Sequence, residues 1–227
     1  MRKSLHTRWV WLVLLLLFTT WLGVRGLNLD AINYDEHWTI RIIGAEPYGP
    51  ATLPAVIANA TEDPWQPPLY YLLLWLWSQL AGATPFALRF LTTLVGLLSV
   101  ASAYQLGKNI FGEFSRKPVK VGDHMGSPLQ RTDISAGLYA AILLGGSSLL
   151  AIYLHELRPY ALYILFTILA LWAYWRSVHA AKLGWRGGTF LFLSLAGLIY
   201  SHYFSIVVIV AVGLYHLLFV PKNRRWW

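Results

Sequence analysis

The chain has 227 residues, of which 57% are hydrophobic and only 12% charged, with a formal net charge of +8 and a mean hydropathy of +0.51. That composition excludes an ordinary soluble domain and fits a polytopic membrane protein. The basic residues fall in short tails and loops between apolar runs, a distribution set by membrane topology rather than nucleic-acid binding, and with no cysteine there is no disulfide or thiolate metal site.

Arg2, Lys3 and Arg8 precede the apolar run Trp9 to Leu22, and the following "TTWLGVRG" offers no small-residue cleavage pair. An uncleaved signal anchor is expected, with its N-terminus in the cytoplasm. The apolar runs are 9–25, 69–81, 84–108, 134–154, 160–177 and 188–220. As a helix, 69–81 would be about 20 Å long, short of a hydrocarbon core of about 30 Å. The run 188–220 would reach about 50 Å, too long for one ordinary span, and "YSHYFS" at 200–205 divides it.

The positive-inside rule arbitrates. If 69–81 does not cross and 188–220 crosses twice, fourteen Lys and Arg lie inside and four, Arg25, Arg41, Arg89 and Arg158, outside. A crossing at 69–81 reverses the bias, so that segment is expected to lie in the outer interface, where its Tyr and Trp residues belong. The expected fold class is all-α: a polytopic membrane helix bundle of about six transmembrane helices in one domain, 1–227. Both termini are inside, and a large first outer loop, 26–83, carries interfacial helices. A second, short outer loop lies near 155–159, and 109–133 is a cytoplasmic linker. The protein is expected in the cell membrane with any active site on the outer face.

Most of the acidic residues then lie outside, and three outer segments carry the candidate chemistry. In "INYDEHWTI" the adjacent Asp35 and Glu36 open a short predicted helix capped by Asn33 or Asp35, with Arg41 about two turns on. The plainer reading is that the acid pair only caps that helix. In "DPWQPPLYYLL" Pro67 and Pro68 open the next helix, placing Gln66 before it and Tyr70 in its first turn. In "LHELRPYALY" His155, Glu156, Arg158 and Tyr160 fill a tight turn at the membrane surface, where charge is costly unless paired. Arg89, at the outer start of a span, either snorkels or binds an anion. His202 faces outward at the break in the last run, where a lone His is more often structural. Together these suit a substrate with a lipid tail and a phosphate-linked polar head: Arg pairs with phosphate, aromatics stack on sugar faces, and a carboxylate takes a hydroxyl proton. No Walker A or Rossmann glycine pattern is present.

The order of an acidic pair, "PPLYYLLL", a G-x-x-x-x-x-L-R span start and an E-x-R-x-Y-A-L turn resembles the membrane-embedded GT-C glycosyltransferases of the protein O-mannosyltransferase and aminoarabinose-transferase type, over about residues 25–205. The resemblance implies transfer of a sugar, with inversion, from a polyprenyl-phosphate donor to a hydroxyl on a protein, lipid or cell-wall glycan. It implies Asp35 as the catalytic base, with Glu36 completing the pair. Gln66 stands where the family often has His or Lys, and Glu156 two residues before the place where it often has Asp. Arg41, Gln66, Tyr70, Arg89, His155, Glu156, Arg158, Tyr160 and His202 are the candidate substrate-binding residues. A divalent cation bridging the phosphate fits the reaction class, but no ligand set for it stands out. The usual family module is about twice as long. The chain is therefore expected to be a fragment, to be completed by a second chain, or to have lost activity. The competing functions are a binding or transport protein for lipid-linked sugars and a structural subunit of a split enzyme.

Overall fold

The computed structural model of the chain describes residues 2–29, 31–62, 66–116, 132–180 and 184–222. Among them every regular element is a helix. In chain order these are α1 (Arg2–Val24), α2 (Tyr34–Ile43), α3 (Leu53–Ala60), α4 (Leu69–Ala81), α5 (Pro85–Arg116), α6 (Thr132–Gly145), α7 (Ser148–His155), α8 (Tyr160–His179), α9 (Trp185–Ser201) and α10 (Ser205–Phe219). Among the described residues two segments are long and apolar enough to cross a membrane, Pro85–Phe111 and Tyr160–His179. A third is gained if the bent pair α6–α7 forms one span.

The helix α5 is the hub, and α1, α4, α6, α7 and α8 all pack on it. Leu12, Val100, Tyr104, Ala141, Leu150 and Leu154 form a core between α1, α5, α6 and α7. The run 134–154, expected as one span, bends by 54° between Gly145 and Ser148. The local sequence is Gly-Gly-Ser, which has low helix propensity. Along α8, α9 approaches closely enough that a Cβ on Gly197 would run into the Phe166 ring. The polar break at 200–205 ends α9 at Ser201 and starts α10 at Ser205, as the sequence suggested.

The helices α2, α3 and α4 form a folded cap. The helix α2 begins at an Asn33 N-cap and ends at Gly44, whose φ of 68° no β-carbon residue adopts easily. Its Ile40, Ile42 and Ile43 pack with Val56 of α3, Tyr71 and Leu74 of α4, Leu88 of α5 and Leu162 of α8. Two indole N–H groups tie α4 down: Trp75 donates to the Ala51 carbonyl at 2.9 Å and Trp77 to the Ala87 carbonyl at 2.7 Å. The sequence reading did not include α3, although Pro54 in its first turn marks its start. The expected cytoplasmic linker is shorter than 109–133, because α5 continues to Arg116. Its stretch 117–131 lies outside the described residues, as does 63–65 of the "DPW" segment.

Candidate functional site

Asn33, with extended backbone at φ −80°, caps α2 by accepting the Glu36 N–H at 2.9 Å, and the Glu36 side chain accepts the Asn33 N–H at 3.1 Å. This capping box turns Glu36 inward. There its carboxylate meets Arg89 of α5 in a two-pronged ion pair, with Nε to Oε1 at 2.9 Å and Nη2 to Oε2 at 2.6 Å. Oε1 also accepts the Leu157 N–H at 3.0 Å. A carboxylate offers about four lone-pair positions, and all are spent. Both side chains are 1% exposed. Arg89 also donates from Nη1 to the Leu27 carbonyl at 2.7 Å and from Nη2 to the Ala31 carbonyl at 3.3 Å.

Glu36 and Arg89 were therefore placed differently by the sequence. Glu36 was read as a catalytic partner of Asp35 and Arg89 as a substrate contact, but each is occupied by the other. A buried carboxylate needs a paired cation, and a guanidinium fork supplies it. What they do is lock α2, α5, the α1–α2 connection and the α7–α8 turn together. Thr39 completes the lock by donating its hydroxyl to the Leu157 carbonyl at 2.8 Å, so the peptide groups of Leu157 are held from both sides.

The lock has a geometric result. With Glu36 fixed to Leu157, their chain neighbours Asp35 and Arg158 face each other, Oδ2 to Nη2 at 3.8 Å. The Asp35 side chain is 60% exposed and that of Arg158 only 12%. The Arg158 Nε is buried without a hydrogen-bond partner among the described residues. Burial works against the guanidinium's charge, but Tyr71, Asp35 and Tyr160 around it outweigh that and hold it charged. Tyr160 leads on to His202, ring centroids 5.7 Å apart, and Tyr153 and Tyr163 widen the aromatic wall at 4.6 Å from Tyr160 and 5.4 Å from His202. His202 Nδ1 accepts the Phe204 N–H at 3.1 Å, and its Nε2 lies 3.5 Å from the Gln66 amide nitrogen. A half-turn of that amide would bring the buried, unpartnered Gln66 Oε1 onto the imidazole. Asp35, Arg158, Tyr160, His202 and Gln66, from four separate segments, thus form one continuous chain of contacts.

Tyr70 is buried beside this chain, with its hydroxyl 3.4 Å from that of Thr92. Burial pushes it well above its ordinary ionisation range, so it stays protonated. His155 and Glu156 face the other side of the lock, in a cavity of about 270 Å³ shared with Asn33, Glu36 and Arg89. His155 Nε2 lies 2.9 Å from the Leu22 carbonyl, anchoring the turn to the end of α1. Burial raises the Glu156 carboxyl above its ordinary range; Glu36 and Asp35 add to this and Arg158 opposes it. Arg41 is not at the site. It lies six residues beyond Asp35, on a different face of α2 about 9 Å along its axis, where it pairs with Glu62 at 3.3 Å and stacks over Trp38.

Among the described residues no group of three His, Cys, Asp or Glu is placed to hold a metal ion. Comparison with known protein families, curated proteins and solved structures returned no match. Sequence reading missed Thr39, Tyr153 and Tyr163. No sequence pattern points to Thr39, whose partner is 118 residues away. The tyrosines lie in apolar runs where they read as ordinary membrane aromatics.

Proposed function

We propose that the chain belongs to a membrane glycosyltransferase that moves a sugar from a polyprenyl-phosphate donor to an acceptor hydroxyl on the outer face of the cell membrane. The observation that carries this reading is the exposed Asp35 carboxylate beside the largely buried Arg158, both held in place by the Glu36–Arg89 lock. In this reading α1, α5, the bent α6–α7, α8, α9 and α10 are the six spans, with both termini cytoplasmic. The helices α2, α3 and α4 then form a cap on the outer surface, and the fourteen-to-four charge bias gives the sidedness.

The chemistry is a single displacement. The acceptor oxygen attacks the anomeric carbon as the bond from that carbon to the donor phosphate oxygen breaks. The Asp35 carboxylate takes the acceptor's proton, and polyprenyl phosphate leaves with the bonding electrons. Arg158, with an N–H unspent, pairs with the departing phosphate and stabilises the charge that builds there. The wall of Tyr160, Tyr163 and His202 offers faces on which a sugar ring can stack. The polyprenyl tail lies in the bilayer.

The test is transfer of a labelled sugar from a polyprenyl-phosphate donor in membranes containing the chain and whatever chain completes it. Asp35→Asn should slow transfer by at least about 100-fold, the low end for loss of a general base, while donor is still retained. A lipid-linked-sugar binding or transport protein would use the same Arg158 and aromatic wall without a base. Unchanged turnover in Asp35→Asn, with donor retention lost in Arg158→Gln, would decide for that function.

A further inference from the structure

A second cleft lies far along α8 from the Asp35 site, between the last turn of α8 and the first turn of α9. It has a volume of about 260 Å³, and its polar lining is Arg176, Ser177, Gly184, Arg186 and Gly187, with Ala173 and Phe190 as the apolar part. The two arginines come from different helices and flank one space. Each guanidinium rests over an indole, Arg176 over Trp172 at 5.7 Å and Arg186 over Trp185 at 5.6 Å. Neither forms an ion pair among the described residues. The N-cap of α9 is Gly184, which has no side chain with which to cap the helix. The positive end of the α9 dipole therefore opens at the same place.

We propose that this cleft binds the phosphate of an anionic phospholipid. Two guanidinium forks and a helix start form a doubly cationic, hydrogen-bonding mouth of the kind a phosphodiester fills. The lining then turns apolar. Phe190 packs edge-on against Trp172 with centroids 5.6 Å apart, and Leu193, one turn on, is 57% exposed. This gradient from cation to apolar surface along α9 matches headgroup followed by acyl chain, whereas a free phosphate ion would use only the mouth. Trp185, 78% exposed, has the place of an interfacial anchor. Assigning the lipid to the inner leaflet rests on the topology proposed above. The binding itself does not, nor does it depend on any transferase activity.

The experiment is native mass spectrometry of the detergent-purified chain titrated with dioleoyl phosphatidylglycerol, alongside phosphatidylcholine and inorganic phosphate. One phosphatidylglycerol should bind more tightly than phosphatidylcholine, and millimolar inorganic phosphate should not displace it. Arg176→Gln with Arg186→Gln should weaken this binding by at least about tenfold, given the typical contribution of each basic residue to anionic-lipid attraction. The paired Lys replacements should keep most of it, which separates loss of charge from loss of fold. Lys108→Gln, which removes a positive charge elsewhere, should leave it intact. Equal phosphatidylglycerol affinity in the double Gln variant and the wild type overturns the proposal. Displacement by inorganic phosphate also overturns it, by showing a soluble-anion site.

Discussion

Glu36 accepts the backbone N–H of Leu157 at 3.0 Å, and this bond separates two carboxylates that stand side by side in the sequence. Because the bond joins residues 36 and 157, it sets residue 35 against residue 158. Glu36 is spent on holding the loops. Asp35, one residue earlier at the first turn of α2, remains 60% exposed beside Arg158.

The lock should therefore be felt as stability. Removing one member of a buried ion pair strands the other, at a cost of about 3–5 kcal/mol. Glu36→Gln and Arg89→Gln should each lower the unfolding temperature of the detergent-solubilised protein markedly. Arg89→Lys should rescue only part of the loss, because an ammonium cannot span both carboxylate oxygens. An unfolding temperature for Glu36→Gln equal to that of the wild type would show that the pair is not holding the cap.

Glu156 gives a pH signature of the opposite sign to the usual acid. Its folded-state pKa is raised above the ordinary 4.5, first by burial and then by Glu36 and Asp35. A raised carboxyl contributes stability below its unfolded pKa and loses it as pH climbs through the folded value. The penalty is therefore absent below pH 4.5 and complete above the raised value. Glu156→Gln should be more stable than the wild type at neutral pH, with the difference closing as pH falls toward 4.5. Paired thermal melts at pH 4 and pH 7 would show this, and a constant gap across that range would refute it.

The sequence made the helices legible because their apolar runs are long and the breaks between them carry polar residues. The "YSHYFS" interruption and the "ELRP" turn both appear where the pattern puts them. The cap was harder to read. A residue such as Val56, fully buried in α3, sits in a stretch whose local pattern gives no sign of a partner. Site placement divided along the same line. Asp35, Arg158, Tyr160, His202 and Gln66 were recognisable as polar or aromatic residues in the segments expected to lie outside the membrane. That Arg89 would meet Glu36, and not a substrate, depends on a pairing across 53 residues. Asn33-x-x-Glu36 did carry a local clue, since a capping box directs its Glu back toward the helix start.

Topology is open to a direct test because the native chain has no cysteine. In right-side-out cells, Tyr34→Cys should react with an impermeant maleimide, since Tyr34 is 83% exposed in the cap. Ser115→Cys, near the end of α5, should react only after permeabilisation. Labelling of Ser115→Cys from outside would reverse the sidedness proposed for every later span.

Thr39 tests whether the lock positions the site or merely stiffens it. Its hydroxyl holds the Leu157 carbonyl at 2.8 Å in the buried interior, one residue before Arg158. Thr39→Val keeps the shape and removes the donor, leaving that carbonyl without this partner, at a cost of about 1–3 kcal/mol. If the proposed transferase reading holds, the turn should loosen and Arg158 should drift from the donor phosphate. The KM for the polyprenyl-phosphate donor should then rise several-fold, with a smaller change in kcat, because Asp35 itself stays on α2. Thr39→Ser restores the hydroxyl without the methyl group and should recover both the stability and the low KM. If Thr39→Ser is impaired while Thr39→Val keeps the wild-type KM, the methyl packing is what matters and the hydrogen bond to Leu157 is not a positioning device. If Thr39→Val keeps the wild-type KM while melting at lower temperature, the bond serves the fold alone, and Arg158 is held in place by the Glu36 contact to the Leu157 N–H.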